Sequence, residues 1–455
     1  MPDSVLQRPG ELSVAHQESL SSGAALDSGE PMYPSASQRG QACRPWLPRF
    51  AAIDWLGANA SDGRLRQSRL YVGGMTIPRS QLVDYETPGY YHCISRCVRR
   101  HALLKHPRRR RWLLDRLSEL SRSLAIEVFA FAILENHLHL LIRIRPDLVR
   151  SLDDREVALR RVQVLPRRVD PKDPRTSIES QARFIMASPS MMRKARRDLA
   201  DPGFFHRLLK EPCARLWNKE DGVKGHFWEA RYKSPRVLDD AALLRVARYI
   251  DLNQIRAREA GSLTASAWTT ARLHWLRLRD ALVAGIAAAK RTTSEVARAI
   301  CDVPWEPSHA CDARAEAEPG GVPSRQARTL DRPKVSLVKY LWSVDGIGRQ
   351  PRADKPGVIA ARAPCPIRAA IEDALRLSKT VRAQRTGECS SMPCVSTEDL
   401  LGFVRRLVYP DSLAEPASYA LVGETRGTCY GSGPAVTAEA RRRGLARVMP
   451  IHLRE

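Results

Sequence analysis

"FAILENHLHLLIRIR", residues 131–145, decides how this chain is read. The stretch is too apolar for a surface loop, yet it carries two histidines, His137 and His139, where a buried strand has little use for them. Successive side chains of a strand point to opposite faces of its sheet. Leu138, Leu140, Ile142 and Ile144 therefore make one face, and His137, His139, Leu141, Arg143 and Arg145 make the other. The first is a core face, which leaves the second as a polar working surface or a solvated one. Two imidazoles at i and i+2 stand about 7 Å apart along a strand, close enough to converge on one cation.

Working outward, "IEVFAFAIL" (126–134) is apolar on both faces, as in a central strand, and Asn136 at its junction with the histidine strand predicts a hairpin. Upstream, "YYHCISRCV" (90–98) is strand-like and runs into the basic cluster Arg96, Arg99 and Arg100. "PRRRRWLLDRLSELSRSL" (107–124) sets Leu113, Leu117, Leu120 and Leu124 on one helical stripe, with Pro107 at its start. Residues 148–185 read as a mostly polar, helix-bearing insertion, 190–199 and 204–217 as helices, and "GHFWEARYKSPRVL" (225–238) as a strand. "DDAALLRVARYIDLNQIRA" (239–257) predicts a helix capped by Asp239 or Asp240, with an apolar stripe through Leu243, Val246, Ala247 and Ile250. Strand, helix, strand, strand, insertion, strand, helix is the order of an α+β fold: an antiparallel sheet with helices packed on one face.

Seventy-four Lys and Arg against fifty Asp and Glu give a formal charge of +24 over 455 residues. That balance favours a polyanionic partner, nucleic acid first, although an arginine-rich codon bias would also raise it. Ten scattered cysteines without a C-x-x-C pair argue against a zinc ribbon and for reduced thiols in the cytoplasm. The most membrane-like run, Val128 to Ile144, is interrupted by Glu135, Asn136 and both histidines, so no membrane association is expected. Residues 1–74, rich in Ser, Gly, Pro and Gln, read as disordered or as an extension upstream of a true start at Met75. A catalytic domain is expected over 75–258, a helical segment and linker over 259–330, and an accessory region of unknown role over 331–455.

A divalent ion needs more than two imidazoles to fix it. Tyr249 and Asn253, four residues apart, share a helix face. If that helix crosses the histidine strand, Asn253 supplies a carbonyl oxygen to the ion and Tyr249 reaches into the same pocket. A tyrosine beside a divalent ion suggests a nucleophile for phosphodiester transesterification.

Asn136-His137-Leu138-His139, followed by "GHFWEARYKS" and "RYIDLNQIRA", resembles the HUH single-tyrosine transposases, in particular the REP-associated tyrosine transposases. There the motif is His, hydrophobic residue, His, with a helix pattern Tyr-Ile-x-x-Asn-Pro-x-Arg-Ala. The resemblance also takes in "TPGYYHCISRCVRR" and "HPRRRRWLLDRL", and "YLWSVDGIGRQPRADKPG" (340–357) is similar to a downstream segment of longer members. It implies a ferredoxin-like core, His137, His139 and Asn253 as ligands of Mg²⁺ or Mn²⁺, and Tyr249 as the nucleophile. The implied substrate is single-stranded or hairpin DNA, cut and rejoined through a 5′-phosphotyrosine intermediate. Whether the chain acts as a homodimer, with Tyr249 serving its own subunit or a partner's, is left open. Gln254 departs from the family by standing where proline is usual, and "RRHALLKH" replaces a more apolar stretch.

Arg96, Arg99, Arg100, Arg231 and Lys233 flank the site strands and are expected to hold phosphates, with Trp228 or Tyr232 available for stacking on a base. "RRRR" (108–111) reads as a nonspecific backbone contact. Three rivals remain: a decayed relative that binds hairpins without cutting, an RNA-binding regulator on the same basic sheet, and a metal-dependent hydrolase that leaves no protein attached.

Overall fold

In a computed structural model, residues 82–165, 173–287, 292–310, 333–386, 396–408 and 429–444 are described. The expected extension over 1–74 and most of the linker before residue 330 lie outside them. The "FAIL…RIR" stretch forms the hairpin expected of it: β1 (Gly89–Arg96), α1 (Pro107–Ser123), β2 (Ile126–Ile133) and β3 (His137–Ile144) follow in order. β3 pairs antiparallel with β2, from Ile126↔Ile144 to Ile133↔Leu138, with a register shift between Val128 and Ala130. On its other side β3 pairs antiparallel with β1, from Gly89↔Ile144 to Arg96↔His137. β4 (Arg236–Val237) adds antiparallel to β1, and β5 (Cys429–Tyr430) adds parallel to β4. The sheet therefore reads β2-β3-β1-β4-β5, whose first four strands have the ferredoxin-like order.

The α+β class holds, with one correction to the layering. One face carries Tyr91, Cys93, Leu138, Leu140, Ile142 and Ile144, and it packs on Leu113, Leu117 and Leu120 of α1. The same core takes residues from α2 (Pro146–Ser151), α3 (Asp154–Gln163), α4 (Pro174–Met186), α5 (Pro189–Leu199) and α6 (Pro202–Glu220). The opposite face was expected to stay a working surface. Instead Tyr90, Phe129, Ala130 and Leu141 continue from it into a second core. That core holds Leu243, Val246, Ala247 and Ile250 of α7 (Asp240–Asp251) with α9 (Thr270–Ala287), α10 (Thr293–Cys301), α11 (Leu337–Arg349), α12 (Pro366–Thr386) and α13 (Thr397–Val408). Apolar residues on both faces of β2 and β3 leave no face free for water, so helices cover both. Among the described residues no helix is long and apolar enough to cross a membrane.

Phe129 anchors the second core. It is fully buried, edge-on to Tyr90 at 5.0 Å between ring centroids and tilted against Trp305 at 5.6 Å. Phe129→Ala is expected to cost about 3–5 kcal/mol, read as a lower denaturant midpoint at unchanged m. A shift equivalent to less than about 1 kcal/mol would mean that the packing of β2 against the second helical layer is misdescribed.

One further sequence reading needs correcting. Residues 225–238 follow β1 without forming a continuous strand: beyond β4, only single bridges pair Lys233 with Ile94 and Trp228 with Cys97. Pro235 has no N–H to donate and Gly225 sits at φ 109, so the ladder is interrupted. The RRRR run is held in ion pairs: Arg108 with Glu220 at 2.7 Å, Arg109 with Asp221, and Arg110, buried, with Glu259 at 3.1 Å. Four cations at a helix N-terminus oppose its dipole, and here carboxylates from elsewhere in the chain answer three of them.

Candidate functional site

Alternation and register together build the site. Cross-strand partners share a face, so Ile94↔His139 and Arg96↔His137 put His92, two residues before Ile94, on the histidine face as well. Each of these rings is held by a hydrogen bond. Asn136 Oδ1 lies 2.6 Å from His137 Nδ1, His139 Nδ1 lies 2.9 Å from His92 Nε2, and His92 Nδ1 lies 2.9 Å from the hydroxyl of Tyr430 on β5. The His137 and His139 rings meet edge-to-face at 4.9 Å.

Burial pushes His92 down to about 3 and His137 down to about 4, the latter helped by the charges of Arg96 and Lys355. His139 is driven in the same direction, by burial first and then by the neighbouring histidines. All three imidazoles are therefore neutral at pH 7. With Nδ1 of both His137 and His139 engaged by a neighbour, Nε2 of each ring is the nitrogen that suits a metal ion or a phosphate-bound proton.

Tyr249 comes from α7, which Asp239 caps by accepting from Ala242 N–H at 2.8 Å. Its ring stands edge-on to His139 at 5.7 Å and to His92 at 6.1 Å. Burial raises the phenol above its usual pKa, while Arg352 and then Arg96 pull it back. Asn253 opens α8 (Asn253–Arg256) and is buried; its Nδ2 donates to the carbonyls of Tyr249 at 3.0 Å and Ile250 at 3.4 Å. The amide is thus folded onto its own helix, with Oδ1 the end left for a ligand. Among the described residues no cluster of three or more His, Cys, Asp and Glu side chains could hold a metal ion. Two neutral imidazoles with an amide oxygen are donors that suit Mn²⁺ or another transition-metal ion better than Mg²⁺, which prefers oxygen ligands throughout.

Gln254 does structural duty where the family pattern has proline. Its Nε2 donates to Glu259 Oε2 at 3.2 Å and its Oε1 accepts from Trp268 N–H at 3.1 Å. Glu259 also accepts from Glu135 N–H at 3.2 Å, tying the turn of the histidine hairpin to the end of the tyrosine helix. Asp251, fully buried, accepts from Tyr340 Oη at 2.7 Å and from Ala271 N–H at 2.9 Å, and burial lifts its carboxyl to about 7.

The five basic residues expected to hold phosphates are all exposed. Arg96 shares the face of His137, and Lys233 pairs with Ile94 beside His139. Arg99 and Arg100 both adopt left-handed backbone, at φ 53 and φ 58, in a turn fixed by Asn136 Nδ2 donating to Arg100 O at 3.1 Å. Arg231 lies two residues before Lys233 on the same segment. Trp228 and Tyr232 are not stacking platforms. Both are buried in the first core, Tyr232 stacked on His206 at 3.7 Å. His92, Tyr430, Arg352 and Lys355 escaped the sequence reading. His92 carried a partial signal, its phase with Tyr90 and Ile94, and Arg352 and Lys355 lay within the 340–357 segment already singled out; Tyr430 carried none.

These shifts fix a pH dependence. A buried histidine near 3 that titrates near 6.5 when unfolded takes up its proton only on unfolding, so its stabilisation is complete above 6.5 and lost as pH falls towards the folded value. At pH 5 the loss is on the order of 2 kcal/mol for such a histidine, and His92 and His274 are both of this kind. The melting temperature is expected to drop between pH 7.5 and pH 5, less steeply in His274→Gln. A flat profile over that window would contradict the neutral, buried assignment.

Residues 87–151 match the family described as "Transposase IS200 like". The matched segment spans β1 through α2, and so includes His92, Asn136, His137 and His139. Over it the chain is transposase-like, as the resemblance implied; Tyr249 and Asn253 lie beyond it. A solved structure described as a REP-associated tyrosine transposase bound to a REP hairpin is 14% identical, with a TM-score of 0.25, over 45% of this chain and 87% of that chain. No curated protein matches this chain.

Proposed function

We propose that the chain is a DNA strand transferase of the single-tyrosine transposase kind, cutting and rejoining single-stranded DNA at a hairpin. The observation that carries this is the packing of Tyr249 against His139 and His92 on one face of a sheet in a strongly basic chain. In the reaction Tyr249 Oη bonds to the phosphorus of a phosphodiester as the bond from phosphorus to the 3′ oxygen breaks. The products are a 5′-phosphotyrosine link and a free 3′-hydroxyl, and the phenolic proton is balanced by the one the 3′ oxygen acquires. Ester is exchanged for ester, so the reverse attack rejoins the strand without a nucleotide cofactor. A divalent ion held by His137, His139 and Asn253 would polarise the phosphate and offset the charge that accumulates on it. Exposed Arg96 and Lys233 bind the phosphodiester backbone beside the reacting group, while hydrogen bonds between His137 and the accepting Asn136 Oδ1, and between His139 and His92, hold the two ligand rings at fixed angles.

The test is incubation of a doubly end-labelled hairpin oligonucleotide with the protein and Mn²⁺, then denaturing electrophoresis and peptide mapping. A covalent band mapping to Tyr249 is the expected result. A second reading, a hairpin-binding relative that does not cut, is favoured by the burial that raises the pKa of the Tyr249 phenol and so makes it a poorer nucleophile. Retained affinity with no covalent band would establish it, and cleavage without attached protein would point to a hydrolase.

A further inference from the structure

The segment after α11 turns back beside the tyrosine helix and is held there by Arg256, about two helical turns beyond Tyr249. Arg256 is buried, and its guanidinium donates to the carbonyls of Ile347 at 2.8 Å, Gln350 at 2.9 Å and Gly357 at 2.9 Å. Those three carbonyls bracket a tight hairpin in which Arg352 bridges to Lys355. Contact at its base is closer than any side chain allows: a Cβ on Gly357 would fall 1.7 Å from Ile255 O. Within the hairpin Asp354 grips Arg352 through two hydrogen bonds, each 2.8 Å. Its charges are felt in the site, Arg352 at Tyr249 and Lys355 at His137 and His139. Counting Arg96, three cations and one carboxylate surround a pocket of neutral rings, an arrangement that favours an anion.

We propose that the 350–357 hairpin is part of the DNA site: Arg352 and Lys355 bind backbone phosphates of the strand that Tyr249 attacks, and Arg256 is the positioning residue that sets their height over the sheet. The inference rests on the strand-transfer reading for the identity of the strand. Through three carbonyls Arg256 fixes both ends of the segment whose charged side chains act on Tyr249. Asp354, half exposed, restrains the Arg352 fork without neutralising the pocket, leaving guanidinium N–H groups for a phosphate.

The experiment uses the full chain and a labelled single-stranded hairpin oligonucleotide. Each phosphate contact on a single strand adds about 0.7 to the slope of log affinity against log salt, so Arg352→Ala with Lys355→Ala is expected to flatten that slope by about 1.4. The same variant is expected to slow covalent adduct formation at saturating DNA by at least tenfold. Arg256→Lys keeps the charge but loses the three-way fork, and it is expected to flatten the slope while a single cooperative melt is retained. A wild-type slope and rate in the double variant overturns the proposal. A wild-type slope in Arg256→Lys, whatever its melting temperature, overturns the positioning role. If the unaltered protein forms no adduct, the strand-transfer reading fails by itself, and the salt slopes still decide whether the hairpin binds DNA.

Discussion

Tyr249→Phe is expected to form no covalent DNA product and to cut at least about 10⁴-fold more slowly than the unaltered protein, the scale on which losing a covalent nucleophile is felt. The substitution removes one oxygen and leaves the ring, which keeps its edge-on contacts with His139 and His92, so fold and hairpin affinity are expected to survive. Another phenol stands nearby: Tyr430, whose hydroxyl is bonded to His92. It is a poor substitute, since burial raises its pKa further and its oxygen is already engaged. Denaturing electrophoresis of the single and double variants separates the two. A residual adduct in Tyr249→Phe that disappears when Tyr430→Phe is added would move the nucleophile to β5 and sink the assignment of Tyr249.

His139→Ala is expected to lower cleavage by on the order of 10²–10³-fold, the scale for removing a group that stabilises charge in the reaction. Unlike Tyr249→Phe it also weakens the fold. His92 loses its Nε2 partner in a site where it is only 1% exposed, a loss of about 1–3 kcal/mol for a buried polar group left unsatisfied. His92→Ala separates the two effects. It keeps both proposed ligand rings and removes only the one that orients His139, so a 10–100-fold loss of affinity for Mn²⁺ is expected, as for outer partners of metal ligands. Calorimetric titration of Mn²⁺ into the three proteins is the check. Equal Mn²⁺ affinity in His139→Ala and the unaltered chain would remove the ring from the metal site.

Much of the ferredoxin-like core was legible because its signals are local. Alternation in β3 sorted its residues correctly onto two faces, the four-leucine stripe marked α1, and Asp239 capped α7 as its position suggested. What the sequence could not show was that the face bearing the histidines would also be covered. Part of the cover is α7, whose stripe was read, but the rest comes from helices beyond residue 260 that join it around Phe129, Tyr90 and Leu141, which look like ordinary strand residues. Trp228 and Tyr232 were misjudged for a related reason. Without the register of the interrupted 225–238 segment, nothing says which way an aromatic side chain turns. For the site, His137, His139, Tyr249 and Asn253 could be named from motif and spacing, whereas His92 needed the β1–β3 register and Tyr430 needed a strand that joins the sheet from nearly two hundred residues downstream.

Asp251 sits two residues past Tyr249 and is bonded at once to Tyr340 and to the first turn of α9. The helix that presents the phenol, itself beyond the transposase match, is therefore fastened to the helices that follow it in the chain. A fragment trimmed after residue 258 would leave the buried carboxylate of Asp251 without both partners, so the helices beyond it are no optional tail. A substitution in the distal helices that disturbs Tyr340 or α9 would therefore be felt at Tyr249, through the one carboxylate they share.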